Sequence, residues 1–104
     1  MNIKQLQELY NASESNIKWA KHCLERMQER DISIGDVESC LQTGEIIEDY
    51  PYDFPHPSCL IFGHTKENKI LHIVAGSDGS TIFFITAYFP STDKFEGDLK
   101  TRKG

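Results

Sequence analysis

The spacing of apolar residues changes once along the chain, from a helical period to an alternating one. Apolar positions three and four residues apart within residues 2–10 predict a first helix, with Asn2 as its N-cap. Ile17–Trp19 reads as a short extended lead-in to a second helix over residues 20–30. A third helix is predicted to begin at Ser33–Asp36, where the spacing of serine and aspartate fits a capping box.

The second half of the chain has the alternation and the β-branched and aromatic content that are typical of strands. Four strands are predicted, at Glu45–Tyr50, Ser58–Thr65, Lys69–Ser77 and Ser80–Phe89. The last of these is apolar on both faces over most of its length, so we expect it inside the sheet and not at an edge. The predicted fold is therefore α+β, with N-terminal helices packed on one face of a roughly four-stranded antiparallel sheet.

Length and composition indicate a single domain over residues 1–104, in which residues 1–14 form an N-terminal helix and linker. The hydrophobic fraction of 38% and the charged fraction of 26% are ordinary for a globular protein. No apolar run is long enough to cross a bilayer and no charged-then-apolar leader opens the chain, so we expect a cytoplasmic protein with no membrane partner. The odd number of cysteines in apolar contexts predicts reduced thiols in the core, at Cys23, Cys40 and Cys59.

The predicted second helix carries the first candidate for chemistry, because His22, Arg26 and Arg30 are spaced four residues apart. At 3.6 residues per turn these side chains form one stripe along the helix. An imidazole beside two guanidinium groups can hold a phosphate and transfer a proton. The alternative is a solvated helix face on which Glu25 and Glu29 pair with the arginines.

The predicted strands carry three more candidates. His72 stands in an otherwise apolar strand, either as a hydrogen-bonded core histidine or as a second acid/base group. A two-residue loop at Asp78-Gly79 sets it opposite Ile85, and a longer loop brings it beside Thr86 or Phe84. Thr86 and Tyr88 share one face of the last strand. They are ordinary strand residues or contacts to a phosphate or a base.

A net charge of −5 argues against strong sequence-independent binding of nucleic acid. Basic residues nevertheless gather on the second helix and in the tail, at Lys100, Arg102 and Lys103. In the same tail Phe95 and Leu99 are expected to dock on the domain. Since the chain contains no CxxC or HxxxH pair, neither a metal site nor a cofactor is predicted.

Several short motifs recur in an order that resembles a known prokaryotic family, and they include His22-x-x-Glu25-Arg26-Met27, Gly44-Glu45-Ile46-Ile47, Leu71-His72-Ile73-Val74 and Ile85-Thr86-Ala87-Tyr88. The family is the domain of unknown function 4258, and the resemblance covers roughly residues 15–103. That family is similar to the RelE/ParE-like toxins, alongside ribonucleases of the BrnT and MqsR types. The resemblance therefore implies a RelE-like toxin architecture.

The resemblance also implies a function, that of a toxin in a type II toxin–antitoxin system. Its activity is then metal-independent endoribonuclease cleavage of mRNA, in which a base takes the 2′-hydroxyl proton and an acid protonates the departing 5′-oxygen. Under this hypothesis His22 or His72 transfers the proton, and Arg26 and Arg30 bind the phosphate. Contacts to the RNA are expected from Lys18, Thr86 and Tyr88.

The partners that this resemblance implies are RNA or the ribosome and a cognate antitoxin, of the kind that carries a YgiT/MqsA-type zinc finger. An alternative of another class is a non-catalytic protein-binding module, and a third is a toxin-like domain that has lost its activity. The negative net charge and the glutamates beside the arginine stripe favour the module. Growth of a host after induced expression separates the toxin from the other two.

Overall fold

The computed structural model describes all 104 residues and contains three α-helices, a single 3₁₀ turn and five strands. The helices are α1 (Ile3–Ala12), α2 (Lys21–Glu29) and α3 (Ile34–Thr43), and the 3₁₀ turn is Glu14–Asn16. The strands are β1 (Ile17–Trp19), β2 (Glu45–Tyr50), β3 (Ser58–His64), β4 (Ile70–Ser77) and β5 (Ile82–Tyr88). No helix has both the length and the apolar character needed to span a membrane.

The sheet has five strands in the order β1-β5-β4-β3-β2, and it is mixed. β1 runs parallel to β5, while the other neighbours are antiparallel. The expectation of a four-stranded antiparallel sheet was therefore wrong in strand number and in direction. A strand as short as Ile17–Trp19 shows no alternation that could separate it from an extended lead-in. The interior position predicted for the last strand is confirmed, because β1 and β4 flank β5.

The three helices pack on one face of the sheet and enclose a single core with it. Buried core residues come from every helix and from three of the five strands, and include Leu6, Met27, Val37, Leu41, Ile61, Leu71, Ile73, Ile82 and Phe84. α3 crosses β3 so closely that a Cβ atom on Gly63 would lie 2.2 Å from the Cys40 carbonyl oxygen. The free cysteines are buried as predicted, and burial raises the pKa of Cys40 and Cys59 to about 12.

Two helix starts follow the sequence prediction. The Asn2 side chain accepts a hydrogen bond from the amide of Lys4. Ser33 and Asp36 form a reciprocal capping box, with both hydrogen bonds at 3.0 Å. These bonds satisfy amides that have no partner inside the helix, and thereby fix where α1 and α3 begin.

The hairpin between β4 and β5 is wider than a two-residue turn. Ser77 pairs with Ile82, and the Asp78 carboxylate accepts hydrogen bonds from two amides of the loop, at 2.9 and 2.8 Å. A bulge between Phe84 and Thr86 then shifts the register again, so that His72 lies opposite Tyr88. Both registers expected from the sequence were wrong, because neither included this loop together with a bulge.

The second face of the sheet carries no helix and is partly covered by the tail, residues 90–104. Phe95 in the tail is only 2% exposed, which confirms that it docks. Because β2 to β5 are antiparallel neighbours, the 51–57 loop and the 78–81 hairpin lie at one end of the sheet. We call this the loop end. The end of β5 and the start of the tail lie at the opposite one, which we call the cleft end.

Candidate active site

A cleft of about 320 Å³ lies at the cleft end, between the last residues of β5 and the tail. Its lining residues are Arg30, Tyr88, Phe89, Pro90, Ser91, Lys94, Phe95 and Arg102. Three of them are cationic and none is a carboxylate. A concave site with this composition favours a bound anion.

Arg30 is the C-cap of α2, and its side chain reaches the cleft from the end of that helix. Its Nη1 donates to the carbonyl oxygen of Ala87 at 2.8 Å and lies 3.5 Å from the Thr86 hydroxyl. No carboxylate lies within 4.0 Å of the guanidinium, in contrast to Arg26 and Arg102. Its charge is therefore available to a ligand, while the bond to β5 holds it in place.

His72 and Tyr88 form a hydrogen-bonded pair behind the cleft. His72 is fully buried, and its Nε2 lies 2.7 Å from the carbonyl oxygen of Leu99. A carbonyl oxygen only accepts, so Nε2 carries the hydrogen and Nδ1 is left with a lone pair. Tyr88 lies with its hydroxyl 3.2 Å from Nδ1, so the phenol donates to the imidazole.

Burial acts on both members of this pair. It lowers the pKa of His72, although the bond to the Leu99 carbonyl and the charge of Glu48 oppose the shift. Burial also raises the pKa of Tyr88. At neutral pH the imidazole is therefore neutral and the phenol keeps its proton, as the hydrogen bond between them requires.

The tail is tied to the sheet by charge as well as by packing. Arg102 donates from Nε and Nη2 to the two carboxylate oxygens of Glu48, at 3.0 and 2.9 Å. Its guanidinium also lies 4.8 Å from the centre of the Phe95 ring. The Arg102 bond is the main cause that lowers the pKa of Glu48, and Tyr50 donates a further bond to the same carboxylate. These contacts place Arg102 at the wall of the cleft.

The structure brings four of the seven residues expected at the site together at the cleft end: Arg30, His72, Thr86 and Tyr88. The other three lie apart from the cleft. His22 stands about 12 Å along α2 from Arg30, given about 1.5 Å per residue, and its side chain is 84% exposed beside Glu25. Lys18 pairs in register with Phe83 in the half of β5 nearer the loop end.

Arg26 is held on the helix surface, where both oxygens of Glu29 accept from its Nη1 at 3.1 Å. This is the glutamate pairing that the alternative interpretation of the stripe expected. The stripe of His22, Arg26 and Arg30 does not form a common site, because its side chains have different partners. Arg30, the C-cap of α2, is the one whose side chain bonds to β5.

Sequence reasoning did not assign Lys94, Phe95, Arg102 or Glu48 to the site. Two signals pointed towards the tail, namely its cluster of basic residues and the expectation that Phe95 and Leu99 dock. The position of the tail over the sheet could not be predicted from the sequence. That position depends on the pairing of Arg102 with Glu48, which are 54 residues apart.

Comparison with known proteins identifies the family. The profile described as Domain of unknown function (DUF4258) matches residues 19–89. The chain belongs to the DUF4258 family. The matched segment is shorter than the expected 15–103, and it runs from the end of β1 to just past β5. The tail residues of the cleft, among them Lys94 and Arg102, lie outside it. No curated protein and no solved structure matches the chain significantly.

Proposed function

We propose that this member of the DUF4258 family is the toxin of a type II toxin–antitoxin system, a metal-independent endoribonuclease that cleaves mRNA in the cleft of Arg30, Tyr88 and Arg102. The relationship to RelE-like toxins is part of the proposal. The observation that carries it is the unpaired Arg30 guanidinium beside a phenol that is hydrogen-bonded to a neutral, buried imidazole. That combination supplies a phosphate ligand and a route for a proton.

The phosphate of the scissile bond would bind to Arg30 and Lys94. The cations at the cleft stabilise the additional negative charge that develops on the phosphoryl oxygens in the transition state. Glu48 holds the guanidinium of Arg102 at the edge of the cleft, and so contributes to its position. Removal of one such donor from a preorganised site typically lowers a rate by about 10²–10³.

The proton route uses Tyr88 and His72. The RNA 2′-hydroxyl gives its proton to the Tyr88 oxygen as the phenolic proton moves to Nδ1 of His72. The 2′-oxygen forms a bond to phosphorus, the bond to the 5′-oxygen breaks, and the leaving oxygen takes a proton from Lys94. The products are a 2′,3′-cyclic phosphate and a 5′-hydroxyl end. The Leu99 carbonyl, which accepts from Nε2, stabilises the imidazolium that forms.

The net charge of −5 shapes the choice of substrate. The general attraction of a protein to the RNA backbone depends on its basic residues, and here they are outnumbered. We therefore propose that the enzyme reaches mRNA on the ribosome or within a structured RNA. Its other proposed partner is a cognate antitoxin.

Growth after tightly induced expression in a bacterial host, with total RNA analysed on a gel, tests the proposal. We expect growth arrest and RNA fragmentation with the wild type, and relief of both by Arg30→Ala/Tyr88→Phe. The comparison is His22→Ala/Arg26→Ala, which also removes one arginine and one titratable ring, but from the exposed helix face. If only the helix variant relieves the arrest, the site lies on α2 and not in the cleft. Normal growth with intact RNA in every strain would refute the nuclease.

A second candidate is the non-catalytic protein-binding module. The contacts of Arg26 with Glu29 and of His22 with Glu25 favour it, because they engage both side chains with glutamates of the same helix. In that case induced expression leaves growth unaffected. Substitutions of the cleft residues are then expected to leave partner binding intact, and substitutions on a protein-binding surface are expected to abolish it.

A further inference from the structure

The loop end of the sheet exposes aromatic side chains that no part of the chain covers. In the loop between β2 and β3, Tyr52 is 97% exposed and Phe54 is 91% exposed. Neither side chain contributes to the core or to the cleft. Large apolar side chains that lie close together and fully in solvent mark a surface that another molecule covers.

A groove of about 730 Å³ lies beside this loop, between α1 and the loop end, with Pro51 and Pro57 of the loop in its wall. The apolar part of its lining comes from Met1, Leu6, Leu9, Ala12, Pro51 and Pro57. A second hollow, formed by residues 49–53, shares Pro51 with the groove. A third, under Phe54, shares Asp53 with the second hollow. The groove therefore adjoins the hollow of Tyr52 at Pro51, and that hollow adjoins the hollow of Phe54 at Asp53.

This surface is predominantly negatively charged. Four carboxylates line its hollows, those of Glu8, Asp49, Asp53 and Asp78, and no lysine or arginine does. The N-terminal ammonium of Met1 also lies here, and it pairs with Asp49 at 2.9 Å. A partner that covers the aromatics would therefore meet a rim of negative charge, and complementary basic residues would favour its binding.

We propose that the loop end binds an amphipathic helix of a partner protein, with its apolar face in the groove and lysine or arginine residues along the rim. One wall of the groove is the helix α1, against which a second helix can pack at about 8–10 Å. Pro51 and Pro57, on another wall, have no N–H to offer to an extended strand. A helix satisfies its own backbone and needs no such donor. The inference is independent of RNA cleavage, since it uses no residue of the cleft.

A designed peptide tests the proposal directly. The probe is a fluorescent helical peptide of about 18 residues, or five turns, built from leucine and lysine with an amphipathic pattern. Its control is the same pattern with glutamate in place of lysine. Binding to the full chain is measured by fluorescence anisotropy, and amide chemical shifts map the site. We expect the lysine peptide to bind, with shifts confined to α1, residues 49–57 and residues 76–79.

Three variants make the test specific to this surface. Tyr52→Ala/Phe54→Ala removes the exposed aromatics, and we expect it to weaken binding by about tenfold or more. Glu8→Lys reverses one charge on an exposed face of α1, and we expect a loss of about threefold that diminishes with added salt. Leu24→Ala/Ile34→Ala removes two exposed apolar side chains elsewhere on the molecule, and should leave binding unchanged.

Several results would overturn the proposal. They are the absence of binding, equal binding of the lysine and glutamate peptides, and equal losses in the Tyr52/Phe54 and Leu24/Ile34 variants. Self-association of the wild type that Tyr52→Ala/Phe54→Ala abolishes would show that a second copy of the chain covers the surface instead. None of these results bears on the ribonuclease, because RNA takes no part in the experiment.

Discussion

The two ends of the sheet use aromatic and charged residues in opposite ways. At the cleft end Phe95 is 2% exposed, and Arg102 lies over its ring while pairing with Glu48. At the loop end Tyr52 and Phe54 project almost fully into solvent beside a rim of carboxylates. The cleft end is therefore organised by contacts within the chain. At the loop end, no part of the chain packs over the exposed apolar surface.

The contrast explains what each end can do. Preorganised cations and a buried histidine that is hydrogen-bonded to a tyrosine suit the proposed chemistry, which requires groups held in place before the substrate arrives. An exposed aromatic loop with little internal packing suits the binding of a partner, because its surface is still available. The five predictions below separate the two ends, from the largest expected effect to the smallest.

Removal of the Phe95 side chain should have the largest effect on stability. Its ring packs against His72 at 4.7 Å and against Arg102, so Phe95→Ala is expected to destabilise the protein by about 3–5 kcal/mol. Urea unfolding measures the loss, and Phe95→Leu serves as a conservative control with a smaller loss. A loss below about 1 kcal/mol would show that the tail does not hold the cleft together.

If the cleft is a ribonuclease site, Arg30→Ala should lower the rate of RNA cleavage by about 10²–10³, because the guanidinium binds the scissile phosphate and stabilises the charge that develops there in the transition state. Primer extension on mRNA in a translation extract measures the rate. The matched control is Lys21→Ala, which removes an exposed cation from the opposite end of the same helix. Equal rates for Arg30→Ala and the wild type would remove Arg30 from the active site.

Stability should fall as the pH drops below about 6.5, the usual pKa of histidine. Burial lowers the pKa of His72 in the folded protein below this usual value. At a pH between the folded and the unfolded pKa, the unfolded chain binds a proton that the folded protein does not, and this stabilises the unfolded state relative to the folded one. Glu48, whose folded pKa is lowered by Arg102, adds a further loss at more acidic pH. Urea unfolding at a series of pH values should show a shallower decline for His72→Gln than for the wild type. Identical slopes would contradict the buried neutral imidazole.

Glu48→Gln should destabilise the protein by about 1 kcal/mol, since it removes a paired charge from a partly exposed bidentate interaction. It should also lower RNA cleavage, because Arg102 loses the partner that orients it. Thermal unfolding and the primer-extension assay give the two values. An unchanged cleavage rate with reduced stability would mean that Glu48 serves only to hold the tail.

Tyr52→Ala/Phe54→Ala should have the smallest effect on stability, within about 0.5 kcal/mol, because both side chains are exposed. RNA cleavage should also be unchanged. Urea unfolding and the primer-extension assay check these expectations. A loss of stability comparable to that of Phe95→Ala would mean that the loop is a structural part of the domain and not a free binding surface.

The sequence predicted local structure better than it predicted the site. Helix starts at Asn2 and Ser33 and the strand Glu45–Tyr50 follow from neighbouring residues, and these predictions are confirmed. The β4–β5 register was beyond prediction, because it depends on hydrogen bonds of the Asp78 carboxylate and on a bulge near Thr86.

The candidate site shows more clearly that local sequence patterns do not predict contacts between distant elements. A helical stripe grouped Arg30 with His22 and Arg26, but Arg26 pairs with Glu29 and only Arg30 bonds to β5. The neighbours that Arg30 acquires, Thr86 and the carbonyl of Ala87, are more than fifty residues away in sequence. Periodicity within one element cannot report contacts of this kind, which depend on how separate elements pack.

The most direct test of the central claim is an NMR titration with a short RNA in which 2′-O-methyl groups prevent cleavage. Amide and side-chain shifts of the full chain report where the phosphodiester backbone binds. We expect the shifts to centre on Arg30, Tyr88, Lys94 and Arg102, with Tyr52 and Phe54 unaffected, and to disappear in Arg30→Ala. Shifts centred on the loop end or on His22 and Arg26, or no shifts at all, would contradict the assignment of the cleft as the site for RNA.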